Sequence, residues 1–209
     1  MGVPDWLRFK RKDAVTSSLL VTIGVAVRLI LLNFDAPNVE PVMALTIIAS
    51  MVMPLALAVL VPIGIMAITD ALIYAFNIHG QYGIGVIAGV TFFVWTGFMM
   101  AMLLGSWLRK RCAFKLKNLG VITFAGVLAT LIFDVWTVVG IWYFMDGASM
   151  DTLQTRFQWQ IGFTLVHVAS SLIFIPLFGS GYILLTEHET EFSAQAPRDS
   201  PEGEARPGL

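Results

Sequence analysis

The chain has 209 residues, of which 57% are hydrophobic and 13% are charged, and its mean hydropathy is +0.78. A soluble domain carries about 25% charged residues, so this composition indicates an integral membrane protein with little room for a separate soluble domain. The net charge of -1 excludes the bulk basic surface typical of nucleic-acid binding, and we expect no nucleic acid partner.

Six apolar stretches predict membrane spans at 14–32, 42–59, 61–76, 82–107, 119–145 and 159–185. Residues 1–13 are predicted to be a basic cytoplasmic amino terminus, and 14–186 to be the membrane domain. Residues 187–209 are rich in Glu, Pro, Ser and Gly, so we expect a disordered cytoplasmic tail. The predicted fold is an all-α membrane bundle of six transmembrane helices in a lipid bilayer.

The stretch at 42–76 decides the topology. Its roughly 35 residues would rise about 50 Å as one helix, whereas the hydrocarbon core is about 30 Å thick. It contains Pro54 and Pro62, and we expect two helices with the break near one of these prolines. Basic residues cluster before span one and again at 109–117, after span four. Two helices put both clusters on the cytoplasmic side of the cell membrane, with both termini in the cytoplasm.

Four ionisable side chains lie inside the predicted spans: Arg28, Asp70, Asp134 and His167. Each costs at least a few kcal/mol against lipid and is a candidate functional group. The topology puts them in the outer half of the bundle, which predicts an outward-opening polar cavity. Arg28 and Asp70 are also explained as an ion pair between two helices, and His167 as a hydrogen-bonded packing group. Asp134 has no basic neighbour in sequence, and Trp136 nearby is suited to lining a ligand site.

Catalytic and metal chemistry find no support in the sequence. The three histidines and the single Cys112 show no metal-ligand spacing. Ser180 lies far in depth from His167, which argues against a serine–histidine dyad. No Gly-rich loop with lysine is present, so ATP hydrolysis would come from another subunit if transport is active. We therefore expect no enzyme, cofactor or metal site, and the lack of an evident inverted repeat disfavours unassisted secondary transport.

Small residues recur every fourth position on span one and form a stripe that allows close helix approach. Its partner is either another helix of this chain or a different protein. The stripe consists of Ala14, Ser18, Thr22 and Ala26.

Several short motifs follow one another across the six spans. They are Arg28; Pro37-Asn38-Val39-Glu40-Pro41-Val42; Asp70; His79-Gly80-Gln81-Tyr82-Gly83; Trp95-Thr96-Gly97; Phe133-Asp134-Val135-Trp136; and His167 with Ser170 and Ser171. In these motifs, over roughly residues 24–185, the chain resembles the substrate-binding S components of energy-coupling factor (ECF) transporters, nearest to the cobalamin-type and related vitamin-type members. Cobalamin-type members carry a tryptophan-rich stretch before span four, where this chain has the His79 motif.

The resemblance implies an S-component fold that captures a vitamin or related micronutrient, with cobalamin-related compounds among the candidates. It implies docking of the small-residue stripe on a transmembrane T subunit, which binds two cytosolic ATPase subunits. The alternative is a ligand-free membrane scaffold or assembly subunit whose polar residues join helices. The substrate-binding residues that the resemblance implies are Asn38, Glu40, Gln81, Tyr82, Trp95, Asp134, Trp136 and His167.

Overall fold

A computed structural model describes residues 11–32, 39, 41–75 and 84–195 of the chain. These residues form six α-helices and no strand, and a short 3₁₀ turn at Leu116–Asn118 precedes the fifth helix. Five of the helices are long and apolar enough to cross a membrane, so the chain is an all-α membrane protein. The helices are α1 (Arg11–Leu32), α2 (Val42–Val52), α3 (Leu55–Ala75), α4 (Ile84–Arg109), α5 (Leu119–Met145) and α6 (Met150–Gln195).

The stretch at 42–76 forms two helices, as predicted, and the break falls at Pro54. Helix α2 ends at Val52, and Met53 has an extended backbone with φ -132° and ψ 166°. A proline disfavours helical backbone in the residue before it, which explains why the helix stops there. The other candidate, Pro62, lies inside α3. The second predicted span, 42–59, is therefore too long, and its last residues belong to α3.

Helix α2 lies at the centre of the bundle. Its residues from Val42 to Met51 are all buried, and it packs against α3, α4 and α6. A helix that is apolar on every side is a core helix. Its 11 residues rise about 16 Å, roughly half the thickness of a hydrocarbon core. Helix α2 is thus shorter than the full span that the sequence predicts.

Helices α1 and α3 run parallel to each other. Near their starts, Ser17 Oγ donates a hydrogen bond to the carbonyl oxygen of Leu57. Further along, Arg28 Nη1 donates to Thr69 Oγ1. Helix α2 connects these two helices along the chain, so it must return in the opposite direction.

Helix α4 runs in the same direction as α2. At its last residue, Arg109 Nη1 donates to the carbonyl oxygen of Met53, 2.6 Å away. We call this the Arg109 end of the bundle. It holds the start of α1, with Arg11 and Lys12, as well as the end of α4 and the basic stretch 109–117. The described part of the first basic cluster therefore shares one end with the second cluster, as predicted for two helices at 42–76.

A tight turn joins α5 to α6 at the opposite end. Gly147 and Ala148 have left-handed backbones, with φ of 63° and 58°. Asp146 caps α5 and receives two hydrogen bonds from Arg156, at 2.5 Å from Nε and 2.7 Å from Nη2. Trp142 Nε1 also donates to the carbonyl oxygen of Ser149, at 2.7 Å. These bonds fix the start of α6 against the end of α5.

Helix α6 is longer than the sixth predicted span. It has 46 residues and runs from Met150 to Gln195, whereas the prediction was 159–185. The first turns of α6 contain polar residues and extend the helix beyond the apolar stretch. In the sequence, such polar residues are typical of a loop, so the start of the helix is not predicted. The predicted disordered tail begins at 187, but 187–195 are helical, because extending an existing helix needs no new nucleus. Residues 196–209 of that tail, and 1–10 at the other terminus, lie outside the described residues.

Candidate functional site

Two polar pairs join α5 and α6 in the middle of their lengths. His167 Nδ1 lies 2.6 Å from Asp134 Oδ1, with 12% and 2% of the two side chains exposed. One helical turn nearer the Arg109 end, Thr130 Oγ1 and Ser171 Oγ lie 2.7 Å apart. The two residues on each helix are four positions apart, so they share one helix face. The pairs form a short polar column between α5 and α6.

One oxygen of this column has no partner. Asp134 Oδ2 is buried and makes no hydrogen bond, although its carboxylate lies inside the bundle. Burying a charged or polar atom without a hydrogen bond costs several kcal/mol, and such atoms are rare in native proteins. Asp134 is therefore the strongest candidate for a group that serves a ligand.

A small cavity lies beside the polar column. Its volume is about 10 Å³, which is room for about one water molecule. Helices α2, α4, α5 and α6 all contribute to its wall, and the residue from α2 lies in the first turn of that helix. The lining residues are Met43, Phe98, Thr130, Phe133, His167 and Ser171.

Aromatic rings from α4 and α5 pack next to the column. The ring centroids of Phe98 and Phe133 lie 4.6 Å apart. Trp136 packs 4.7 Å from the ring of another α4 residue, Phe93, and its Nε1 donates to Thr96 Oγ1 at 2.9 Å. Trp136 is thus held by α4, one turn or less from Asp134 along α5. Neither Trp136 nor these two partners are among the residues that line the cavity.

Trp95 lies at a different cavity, between α3 and α4. This second cavity is also about 10 Å³ and is lined by Trp95, Phe98 and residues of α3 that include Pro62. The indole nitrogen Nε1 of Trp95 is buried and makes no hydrogen bond. Phe98 lines both cavities, so its ring separates Trp95 from the polar column.

Arg28 forms a separate cluster between α1 and α3. Its Nη1 lies 2.7 Å from Thr69 Oγ1, 2.6 Å from Met66 Sδ and 3.4 Å from Asp70 Oδ1. The side chains of Arg28 and Asp70 are 15% and 24% exposed. The predicted ion pair is therefore present, and its shortest contacts join α1 to α3. The four ionisable groups thus occupy two clusters on different helix pairs.

The small-residue stripe of α1 faces away from the bundle. Ser18, Thr22 and Ala26 are exposed, and Ala14 is half-buried. Helix α1 instead packs against α3 and α2 with a different face, which includes the buried Leu20. None of the described helices covers the stripe. The structure therefore does not show the alternative in which another helix of this chain packs on it.

The structure describes only part of the predicted substrate site. Asn38, Glu40, Gln81 and Tyr82 lie outside the described residues. Asp134 and His167 are in contact, Trp136 lies two residues from Asp134 on α5, and Trp95 lies at the other cavity, beyond the ring of Phe98.

Sequence reasoning missed Thr130 and Phe98 as members of the site. Thr130 had a usable signal, since it lies four residues before Asp134 and therefore on the same face of a helix. Within the described part of the chain, no group of three or more His, Cys, Asp or Glu side chains is placed to hold a metal ion.

Comparison with known proteins gives a family but no relative of known function. A family model described as a family of unknown function, DUF6580, matches residues 9–195. No curated protein and no solved structure matches the chain.

Proposed function

The chain belongs to the DUF6580 family, and we propose that this member is the substrate-binding membrane subunit of an ECF-type importer for a vitamin or related micronutrient. One observation carries the proposal most. Helix α2 begins directly after Pro41, and Met43 in its first turn lines the cavity beside His167. The end of the motif at 37–42, which resembles the substrate loop of S components, therefore leads to the buried polar column.

The buried carboxylate gives this position a reason to bind a ligand. Ionisable residues inside membrane spans are costly, and they commonly mark substrate or ion pathways. The unpartnered Asp134 Oδ2 supplies an acceptor that a substrate would satisfy. Because the cavity holds only about one water molecule, capture of a vitamin requires a more open arrangement of the surrounding helices.

The exposed stripe on α1 supports a protein partner. Exposed Ser18, Thr22 and Ala26 leave a shallow surface where another transmembrane helix can approach closely. In the proposal, this surface docks on a T subunit in the cell membrane, and two cytosolic ATPases drive release of the substrate. Both termini then lie in the cytoplasm. The chain itself performs no catalysis.

Ligand binding is tested with the purified full-length chain. We expect mass spectrometry to find a co-purified small molecule, or one member of a vitamin panel to raise the unfolding temperature. Asp134→Ala and His167→Ala should each weaken that binding about tenfold or more while the protein still folds. Ser180→Ala is the matched control, because Ser180 bonds only to carbonyls of its own helix. Affinities like that of the wild type in both site variants would contradict the assignment of the site.

Docking is tested by co-purification with a T subunit and ATPases from the same organism. Thr22→Leu fills the stripe and should reduce the amount of complex recovered. Val121→Leu is the control, because Val121 is 55% exposed but lies on α5, away from the stripe on α1. Equal recovery of both variants would argue against docking through this surface.

A ligand-free membrane scaffold is the second candidate. The small size of both cavities favours it, as does the Arg28 cluster, whose described contacts join two helices. A scaffold would retain no small molecule and would not respond to any vitamin of the panel. It would still require the Arg28 cluster for stability.

A further inference from the structure

Apart from His167, whose ring nitrogens donate or accept according to the tautomer, the polar groups around the cavity offer hydrogen-bond acceptors rather than donors. Thr130 uses its hydroxyl hydrogen on the carbonyl oxygen of Gly126, at 3.0 Å. In the 2.7 Å contact with Thr130, Ser171 is therefore the donor, and its own oxygen keeps lone pairs for a further donor. Asp134 does not line the cavity itself, but it contacts the lining residue His167, and its Oδ2 is an acceptor as long as the carboxylate is ionised. A ligand that fits these groups must bring hydrogen-bond donors.

The charges around the cavity also favour a ligand that donates hydrogen bonds. No lysine or arginine is among the residues that line the cavity, and α2 and α4 contribute only Met43 and Phe98. His167 places one ring nitrogen on Asp134 Oδ1, and this contact leaves Oδ2 without a donor whether the imidazole is neutral or protonated. A buried anionic oxygen in apolar surroundings is stabilised by a positive charge.

The apolar wall is also suited to a cation. Phe98 and Phe133 both line the cavity, and their rings lie 4.6 Å apart. The faces of aromatic rings carry partial negative charge, so they attract a cation that has lost its water. A carboxylate next to aromatic rings therefore favours an organic cation over an anion of the same size.

We propose that the part of the substrate that reaches this cavity is a cationic nitrogen with N–H donors, such as a protonated amine. This inference rests on the importer function proposed above. One N–H bonds to Ser171 Oγ in the cavity wall. Another bonds to Asp134 Oδ2, which is buried next to the lining residue His167 and is reached when the surrounding helices open, while the remainder of the molecule lies outside the cavity. A carboxylate or phosphate finds no donor side chain among the lining residues apart from His167.

Methylammonium tests the inference because its head matches the size of the cavity. The unfolding temperature of the purified chain is measured while methylammonium chloride replaces potassium chloride at constant ionic strength. Potassium carries the same charge but no hydrogen-bond donor. We expect a saturable rise of about 3 to 5 °C at ten times the dissociation constant.

Variants test whether the rise in unfolding temperature comes from methylammonium binding at the cavity. Asp134→Asn should abolish it, whereas the control Ser180→Ala should retain it. If Asp134→Asn does not fold, Ser171→Ala serves instead and should weaken methylammonium binding about fivefold, as loss of one hydrogen bond implies. Equal unfolding temperatures in the two salts, or a site variant that responds like the wild type, would overturn the inference.

The vitamin panel separates this inference from the importer function. If only anionic or neutral vitamins stabilise the protein, the substrate class is wrong while the importer function stands. If methylammonium stabilises the protein and no vitamin does, the cavity binds a cation but the importer function fails.

Discussion

Arg109 at the end of α4 reaches the carbonyl oxygen of Met53, where α2 stops. Carbonyl groups at a helix end have no partner within the helix, and they carry partial negative charge. Arg109 supplies both a donor and a positive charge at that point. The break between α2 and α3 is thus held by a side chain from a third helix.

Arg109→Met should lower the free energy of unfolding by about 1 to 2 kcal/mol, because it removes a charged donor but keeps much of the side-chain volume. Lys110→Met is the control, since Lys110 is an exposed cation one residue further along. Chemical denaturation of both variants in detergent measures the difference. Equal losses in the two variants would mean that charge at this end matters and the specific bond does not.

Thr130 and Ser171 should be energetically coupled. Thr130→Val leaves the buried Ser171 hydroxyl without its acceptor, and Ser171→Ala removes the donor, so each single variant should lose about 1 kcal/mol. The double variant should lose less than the sum, with a coupling of about 0.5 to 1.5 kcal/mol, as found for hydrogen bonds between membrane helices. Thr123→Val combined with Ser171→Ala is the control cycle, because Thr123 bonds only to its own helix. That pair should be additive.

Arg28 should matter more for stability than Asp70. Its contacts with Thr69 and Met66 are shorter than its 3.4 Å contact with Asp70. Arg28→Met should therefore cost about 2 kcal/mol, and Asp70→Asn less than about 1 kcal/mol. The double variant should be more stable than Arg28→Met alone, since it no longer holds a carboxylate without this cation. A larger loss of unfolding free energy for Asp70→Asn than for Arg28→Met would show that the Asp70 carboxylate contributes more to stability than Arg28.

Asp146 should make stability depend on pH in the acid range. Hydrogen bonds from Arg156 hold the pKa of the Asp146 carboxyl below its ordinary value. A lowered pKa in the folded state means that the unfolded state takes up the proton first as pH falls. The stabilising contribution is therefore complete above the ordinary value of about 4 and is lost as pH falls below it.

The measurement compares the unfolding temperatures of the wild type and Asp146→Asn from pH 7 to pH 3. The difference between them should be constant down to about pH 5 and should shrink towards pH 3. A difference that does not change with pH would show that the carboxylate charge of Asp146 makes no contribution.

Composition and charge were sufficient to predict much of the fold. The two basic clusters required an even number of helices between them, and this condition correctly divided 42–76 into α2 and α3. It could not choose between Pro54 and Pro62, because membrane helices tolerate an internal proline when neighbouring groups satisfy the backbone. The start of α6 at Met150 was also hidden, since polar residues that extend a helix beyond the membrane resemble a loop.

Only part of the candidate site is predictable from the sequence, since Asp134 and His167 stand out whereas Phe98 does not. Asp134 and His167 were singled out because charges are rare in membrane spans, yet nothing in the sequence shows that α5 and α6 place them in contact. Trp95 was expected in the same site, although the ring of Phe98 separates it from Asp134. Contacts of this kind depend on how each helix is rotated about its axis, which apolar stretches without a polar face do not specify.

The short central helix has a consequence for biosynthesis. Helix α2 is too short to be stable alone across a bilayer, and it packs mainly against α3, α4 and α6. The ribosome completes α6 last, so α2 acquires its final neighbours only when synthesis of the chain is nearly finished. Truncated chains that end before α6 should therefore be substrates for membrane quality control, even though most of their hydrophobic segments are already inserted.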